Sequence, residues 1–449
     1  MSVYSIQMNQ DGAILKTSKT AKESFLVMPD YIKLEKASYP RMIVNPIEPW
    51  TEEDPPPEDY GKNVIDDTFE EDWYYTFYCD SVEWDGDEAT LDKSGNGSKE
   101  NPWRNFWHAM TTIHDYVTHT CCSQNFRVIV RGIVKDVAPS TFTGMLYDIN
   151  FKWRVIVDFS DAEISDTEDK LTKKAMDYFS YLFIVGMNYK LNNACHLYHY
   201  KLYNSRVYGD GDLYISYSTL YEVEFDCNVI SIHNYSYGTK LKIKGKGEVS
   251  CYEGVLSNCT VYGCLESENA ILIDCICHGI QHYGNHEYDI PKYSYRCEFD
   301  ITNHLDDKFK IYDELGISGM CYIYDTTLSI TAIVDVYVDN IIAIRSISDA
   351  DYHSPFFCNC KIYTNIMYNY SIGKTQYSFY AYGILLAQGV LKDCLIAIQG
   401  DLPQITSSSS SRAYMCPLYR NHNSGAVLMN CQLQGFKSIG KVPENACNL

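Results

Sequence analysis

Five copies of one short pattern constrain this chain more than any other feature. Val255-Leu-Ser-Asn-Cys-Thr-Val261, Ile271-Leu-Ile-Asp-Cys-Ile-Cys277, Phe356-Phe-Cys-Asn-Cys-Lys-Ile362, Val390-Leu-Lys-Asp-Cys-Leu-Ile396 and Val427-Leu-Met-Asn-Cys-Gln-Leu433 all read apolar, apolar, any, Asn/Asp, Cys, any, apolar. Looser copies stand at Phe225-Asp-Cys-Asn-Val229 and Tyr295-Arg-Cys-Glu-Phe299. A short repeated unit cannot bury its apolar face alone; stacked on its neighbours it builds a continuous core. Asn and Asp tolerate left-handed backbone and bond their own main chain, so they suit a sharp bend. The small, soft cysteine beside the bend then faces inward, as does the residue two further on. Successive cysteines, at 227, 259, 275, 297, 360, 394 and 431, are 32, 16, 22, 63, 34 and 37 residues apart. A solenoid accepts such irregularity because loops leave the stack without disturbing it. The gap of 63 predicts a degraded copy near Thr327-Leu-Ser-Ile330.

Beyond residue 125 the pattern is of short β-branched and Tyr-rich runs between Gly/Asn/Asp/Ser turns, which predicts an all-β domain. Ahead of it lies one helical signature. Asn101 is a good N-cap, Pro102 fits the first helical position, and Trp103, Phe106, Trp107, Met110, Ile113 and Val117 follow at helical spacing. A helix with two Trp on one face has to cover something apolar, and a strand is predicted directly after it, at 126–134. Further upstream, Asn45-Pro46-Ile47-Glu48-Pro49-Trp50-Thr51-Glu52-Glu53-Asp54-Pro55-Pro56-Pro57-Glu58-Asp59 combines prolines with like charges. This stretch is expected to be extended, a linker or a strap on a partner, because it cannot build its own core. The organisation expected is therefore an anchoring or linker segment at 1–75, a leading loop and capping helix at 76–125, and a solenoid with its end segment at 126–449.

With 37 Lys+Arg against 58 Asp+Glu in 449 residues, the net charge is −21. That excludes the basic footprint of a nucleic-acid binder and argues against docking on an anionic membrane. No run reaches the ~18 apolar residues of a membrane span. The first ten residues lack a basic and an apolar region, so no signal peptide is expected and the 18 cysteines should be thiols made in a reducing cytoplasm.

The Gly-rich loop at 94–98, Asn101-Pro102-Trp103, the helix after it and the strand at 127–132 together resemble the opening of right-handed parallel β-helix proteins of the pectate-lyase-like type. The Asn-Cys rungs are similar to the coils of that family. The resemblance implies a helix plugging the first rung through Trp103 and Trp107. It also implies inward cysteines at Cys259, Cys275, Cys360, Cys394 and Cys431, and roughly 22–35 residues per rung. Such a fold made without an export signal resembles the tailspikes and tail fibres of tailed bacteriophages. On that likeness the protein is a virion component, associating with itself as a homotrimer, held to a larger particle through residues 1–75 and contacting a surface glycan. The same fold hosts polysaccharide lyases and glycoside hydrolases, which is the alternative reading.

Candidate site residues follow from strand alternation. Val223, Phe225 and Cys227 should face in, and Glu222, Glu224 and Asp226 out, their Cα atoms about 6.6 Å apart. That separation falls at the ~6.5–9.5 Å between carboxyls of inverting glycosidases. Outward tyrosines Tyr198, Tyr200, Tyr214, Tyr217 and Tyr221 are the carbohydrate-binding candidates, Tyr having an apolar face and a hydroxyl. His196 and His199, scattered among them, read as surface or rung histidines rather than as catalysts. No metal-ligand pattern or cofactor is expected, with Asp85-Gly86-Asp87 and Asp210-Gly211-Asp212 as turns that offer at most a Ca²⁺ site.

Overall fold

The computed structural model describes residues 4–9, 12–17, 24–84, 86–119, 125–139, 154–166, 174, 176–177, 179–282, 292–305, 314–318, 321–334, 340–347, 355–368, 378–386, 389–402, 412–420 and 426–439. The chain is all-β, a right-handed parallel β-helix, and it divides into two compact units. Unit 1 holds Met1–Asn45, Ile65–Ile230 and Tyr235–Tyr237; unit 2 holds Pro46–Val64, Ser231–Asn234 and Gly238–Leu449.

In unit 1 the long strands Phe69–Ser81, Asn125–Lys135 and Val155–Ser165 pair in parallel. Lys33–Pro40 closes the outer edge by pairing antiparallel to Phe69–Ser81. This edge carries Lys33, Glu35, Lys36 and Pro40, residues that discourage further strand addition. Strand Phe69–Ser81 runs straight through residue 75. Beyond it the coils tighten. Phe183–Val185, Lys201–Tyr203 and Thr219–Tyr221 form one column of short strands, and Asn188–Leu191, Arg206–Gly209 and Glu224–His233 a second. Cys195–Tyr198 and Asp212–Ser216 form a third. In each column, partners are 18 residues apart: Phe183 with Lys201, Arg206 with Glu224, Cys195 with Leu213. These rungs are shorter than the 22–35 residues expected, because here three strands are joined only by bends.

The helix α1 (Phe106–His119) begins later than the sequence pattern predicts. The Asn105 side chain accepts the His108 N–H at 3.1 Å and is the N-cap. Trp103 lies before the helix, its N–H given to Tyr78 O (3.0 Å) and its carbonyl to Asp80 N–H (2.9 Å). Its indole is buried and stacks on Phe77, ring centres 5.2 Å apart. Gly97 makes room for it: with φ +76° there, a Cβ would meet the indole at 2.8 Å. Phe106, Trp107 and Met110 are buried, Phe106 against Phe159 and Trp107 against Phe179. The sheet edge and the apolar interior are thus closed separately, by Lys33–Pro40 and by the aromatic face of α1.

In unit 2 the short strands Val255–Ser257, Ile271–Ile273, Tyr293–Tyr295, Tyr322–Tyr324, Phe356–Cys358, Val390–Lys392 and Val427–Met429 stack in order. Their register steps by 16, 22, 29, 34, 34 and 37 residues. After each comes a left-handed residue: Asn258, Asp274, Arg296, Asp325, Asn359, Asp393 and Asn430, all at φ 50–54° except Asp393 at 55°. Then follows the inward position: Cys259, Cys275, Cys297, Thr326, Cys360, Cys394 and Cys431. The degraded copy is therefore real, with Thr326 in the cysteine place. The side chains at the bends pair along the column. Arg296 grips Asp274 through two contacts of 2.7 and 2.9 Å, and Asn359 and Asn430 donate to Asp325 and Asp393, each at 2.6 Å. The loose copy at Phe225-Asp-Cys-Asn-Val229 is not a bend. Cys227 lies inside Glu224–His233, buried, its thiol donating to Val207 O.

Candidate functional site

The rungs of unit 1 carry an unusual bend. The residue two before each short strand is left-handed, and it is Tyr181 (φ 58°), His199 (58°), Tyr217 (52°) and Tyr235 (54°). Left-handed backbone is disfavoured for bulky residues and is ordinarily given to Gly, Asn or Asp. At an 18-residue step the rings fall in line. Tyr181 and His199 stack with centres 4.5 Å apart and planes 9° off parallel; His199 and Tyr217 stack at 5.0 Å and 18°. A parallel pile sits alongside, His196 on Tyr214 at 4.7 Å. Both spacings match the ~4.8 Å between neighbouring strands. Burial holds the His199 pKa below its ordinary value, which keeps a neutral ring between the two tyrosines at pH 7.

The tyrosine candidates separate here. Tyr198 (43% exposed) and Tyr217 (45%) stand out from the surface, and Tyr235 (62%) joins them one rung on, where Ser236 Oγ accepts the Ser218 N–H at 3.2 Å. Tyr198 sits in register with Ser180 on one side and Ser216 on the other, so small residues flank its ring. Tyr214 is half-buried within its pile. Tyr200 and Tyr221 are not surface residues. Tyr200 is buried and donates to Met176 O at 2.8 Å; Tyr221 is buried and donates to Asp67. Alternation misplaces them because Tyr fits either face of a strand and the left-handed bend resets the phase.

The three carboxylates also part. Glu222 occupies the other bend, at φ 54°, in the place taken by Asn204 one rung earlier. Glu224 and Asp226 do share the outer face of Glu224–His233, in register with Arg206 and Tyr208, while Val223, Phe225 and Cys227 are buried. The Arg206 guanidinium lies over the Tyr208 ring at 4.8 Å, and Tyr208 donates to Glu163 at 3.2 Å. On this face the single guanidinium of Arg206 stands among the carboxylates of Glu163, Glu224 and Asp226.

A buried polar cluster that sequence reasoning missed lies beneath the aromatic bend. Asp136 is buried, accepting the Met176 N–H at 2.9 Å and the Tyr189 hydroxyl, and burial pushes its pKa up to about 7. Asp166 accepts Lys174 Nζ at 2.8 Å and the N–H groups of Asn192 and Asn193. Asp177 accepts the His196 N–H at 2.7 Å, and burial raises its pKa as well. Nothing in the local sequence marks these three aspartates, since they are brought together from separate loops.

In unit 2, Cys259, Cys275, Cys360 and Cys394 are buried and Cys431, on the last described rung, is half-buried. All are free thiols, as are both members of Cys275/Cys277 and Cys358/Cys360. Burial raises the pKa of Cys259 and Cys297 well above the usual thiol value, so they are neutral packing groups. Among the described residues, no three His, Cys, Asp or Glu side chains gather as a metal site. Asp85 lies outside the described residues, and Asp212 accepts from Asn228 at 2.8 Å. No described helix is long and apolar enough to cross a membrane.

No family model matches the chain. No curated protein and no solved structure matches it either.

Proposed function

We propose that this protein binds a carbohydrate chain on the aromatic strip of unit 1, as a surface subunit of the tailspike or tail-fibre kind. The observation that carries the reading is the bend column Tyr181–His199–Tyr217–Tyr235. Bulky rings occupy positions where backbone energetics favour Gly or Asn, and residues held in sparsely populated conformations concentrate at functional sites. Within the pile, His199 is sandwiched between Tyr181 and Tyr217 and serves as backing. Tyr217 ends the stack, and Tyr198 and Tyr235 stand beside it with much of their rings in solvent. Rings of this kind offer an apolar face to the C–H groups of a sugar and a hydroxyl to its oxygens. The virion setting and the homotrimer rest on the family resemblance alone.

The test is a glycan panel read by surface plasmon resonance. Tyr217→Ala, Tyr198→Ala and Tyr235→Ala should each weaken binding about tenfold, a loss of ~1.4 kcal/mol, with unfolding midpoints unchanged. Equal binding by all three variants overturns the reading. Release of reducing ends from any bound glycan moves the protein to the lyase or hydrolase reading.

A further inference from the structure

Beneath the aromatic bend of unit 1 a lysine and an aspartate meet away from water. Lys174 Nζ donates to Asp166 Oδ2 at 2.8 Å, with the two side chains 5% and 0% exposed. In the interior each of these charges carries a desolvation penalty that the contact has to offset. The carboxyl is also held unevenly. Oδ2 takes the main-chain N–H groups of Asn192 (3.0 Å) and Asn193 (2.7 Å) as well as the lysine. Oδ1 is buried and has no hydrogen-bond partner, an unfavourable state for half of an anion. Two further carboxyls lie in the field of the same lysine. Burial raises the pKa of Asp136 to about 7 and raises that of Asp177, with the Lys174 charge acting against the rise in both. A carboxylic acid is therefore at hand near neutral pH.

We propose that Lys174 and Asp166 are a self-forming isopeptide site, closed by an amide between Nζ and Cγ with release of one water. The reactants are already in contact, which removes the entropic cost of bringing them together. Low dielectric disfavours the charged forms, so the ammonium proton passes to Asp166 Oδ1 and leaves a neutral amine beside a neutral acid. The nitrogen lone pair attacks Cγ. The negative charge that develops on Oδ2 is met by the N–H groups of Asn192 and Asn193, which act as an oxyanion hole. The nitrogen then gives up one proton and the Oδ1 hydroxyl gains one, with the Asp136 carboxyl as the carrier between them. The C–Oδ1 bond breaks, water leaves and the amide remains; the step balances without an oxidant. Both buried charges are gone in the product, so the desolvation that penalises the ion pair favours its conversion. The link fastens the end of strand Val155–Ser165 to the segment in which Met176 O accepts the Tyr200 hydroxyl and Asp177 the His196 N–H. It thus staples the footing of the aromatic bend, whatever that bend binds.

The test uses the unaltered full chain, incubated folded at neutral pH, then denatured and digested with trypsin. Trypsin cuts after a free lysine and not after an acylated one. Without the link, the digest holds Val155–Lys170 and Ala175–Lys190 as separate peptides. With it, Val155–Lys170 travels joined to Lys174–Lys190, lighter than the sum of the two by one water. The joined peptide should replace the separate pair as incubation proceeds, with fragmentation placing the bond at Asp166 and Lys174. Lys174→Arg should abolish it. Asp136→Asn keeps an acceptor for the Met176 N–H and should slow its formation about a hundredfold. Separate peptides alone from the folded chain overturn the isopeptide. A joined peptide that persists in Lys174→Arg overturns the choice of amine, and one that forms as fast in Asp136→Asn overturns the proton carrier.

Discussion

The two units solve the same coil with different chemistry. In unit 1, from Phe183 on, a rung takes 18 residues and both bends flanking the short strand repeat in register. In unit 2 rungs grow from 16 to 37 residues. The left-handed residue after the short strand recurs from Asn258 to Asn430. The interior follows suit. Ser205 and Ser218 in unit 1 accept N–H groups from the rung below, Met187 at 3.1 Å and Tyr200 at 3.0 Å, and donate to a carbonyl two residues back. The cysteines of unit 2 lie near a carbonyl two residues back, Cys275 at Ile273 O (3.3 Å) and Cys360 at Cys358 O (3.3 Å), and near one of the preceding rung, Leu256 O (3.4 Å) and Ile323 O (3.3 Å). Hydroxyls and thiols alike bond rung to rung, the serines by accepting a main-chain N–H and the thiols by donating to a main-chain carbonyl. Bend side chains line up in both units, as rings at Tyr181, His199 and Tyr217 in unit 1 and as polar pairs such as Asn359 with Asp325 in unit 2.

The largest expected effect bears on how unit 1 is closed. Trp107→Ala should cost about 3–5 kcal/mol, read as lost hydrogen-exchange protection in strands 125–135 and 155–165 with the cysteine rungs of unit 2 unchanged; a loss shared by both units breaks the distinction. Next is pH. Asp136 has a native pKa raised from 3.8 to about 7, so between about pH 4 and 7 the native state holds more protons than the unfolded chain. Stability from this group is therefore present below pH 4 and lost as pH rises through 7. Unit 1 should have a lower Tm at pH 8 than at pH 5, and Asp136→Asn should flatten that slope; an unchanged slope assigns it elsewhere. A smaller effect sharpens the account of the bends. Asn359→Asp sets a carboxylate against Asp325 in place of a 2.6 Å amide bond. It should cost up to about 1 kcal/mol by denaturant titration at pH 7, recovered as pH falls. Least of all, Cys360→Thr copies the native Thr326 and should move stability by less than ~1 kcal/mol; a larger loss means the thiols are not mere filling.

Much of the coil could be read from residues. Asn/Asp followed by Cys located the bends of unit 2, including the one where Thr326 replaces Cys. In unit 1 the same bend is Gly186, Asn204 and Glu222, followed by Met187, Ser205 and Val223, and no residue type marks it. A spacing of 18 between Tyr181, His199, Tyr217 and Tyr235 was the available signal, hidden because a histidine interrupts the tyrosines. Tyr200 and Tyr221 escaped because an amphipathic side chain satisfies inside and outside alike. Asp136, Asp166 and Asp177 escaped because burial, which gives them their character, is not local in sequence. The strap could be read as extended and acidic, but its destination is set by donors up to 339 residues away.

That distance has a consequence for how the molecule comes into being. Gly61 meets Ser257 across 196 residues and Glu53 meets Lys392 across 339. At a synthesis rate of about 5–20 residues per second, the finished strap waits roughly 10–70 s for its rungs to leave the ribosome. An apolar or strand-forming segment left unpartnered so long would seek wrong company among nascent coils. Five prolines and six carboxylates between residues 46 and 64 forbid that: the segment cannot enter a sheet and repels its own kind of chain. Its composition is that of a latecomer, kept soluble and idle until the surface that fits it exists.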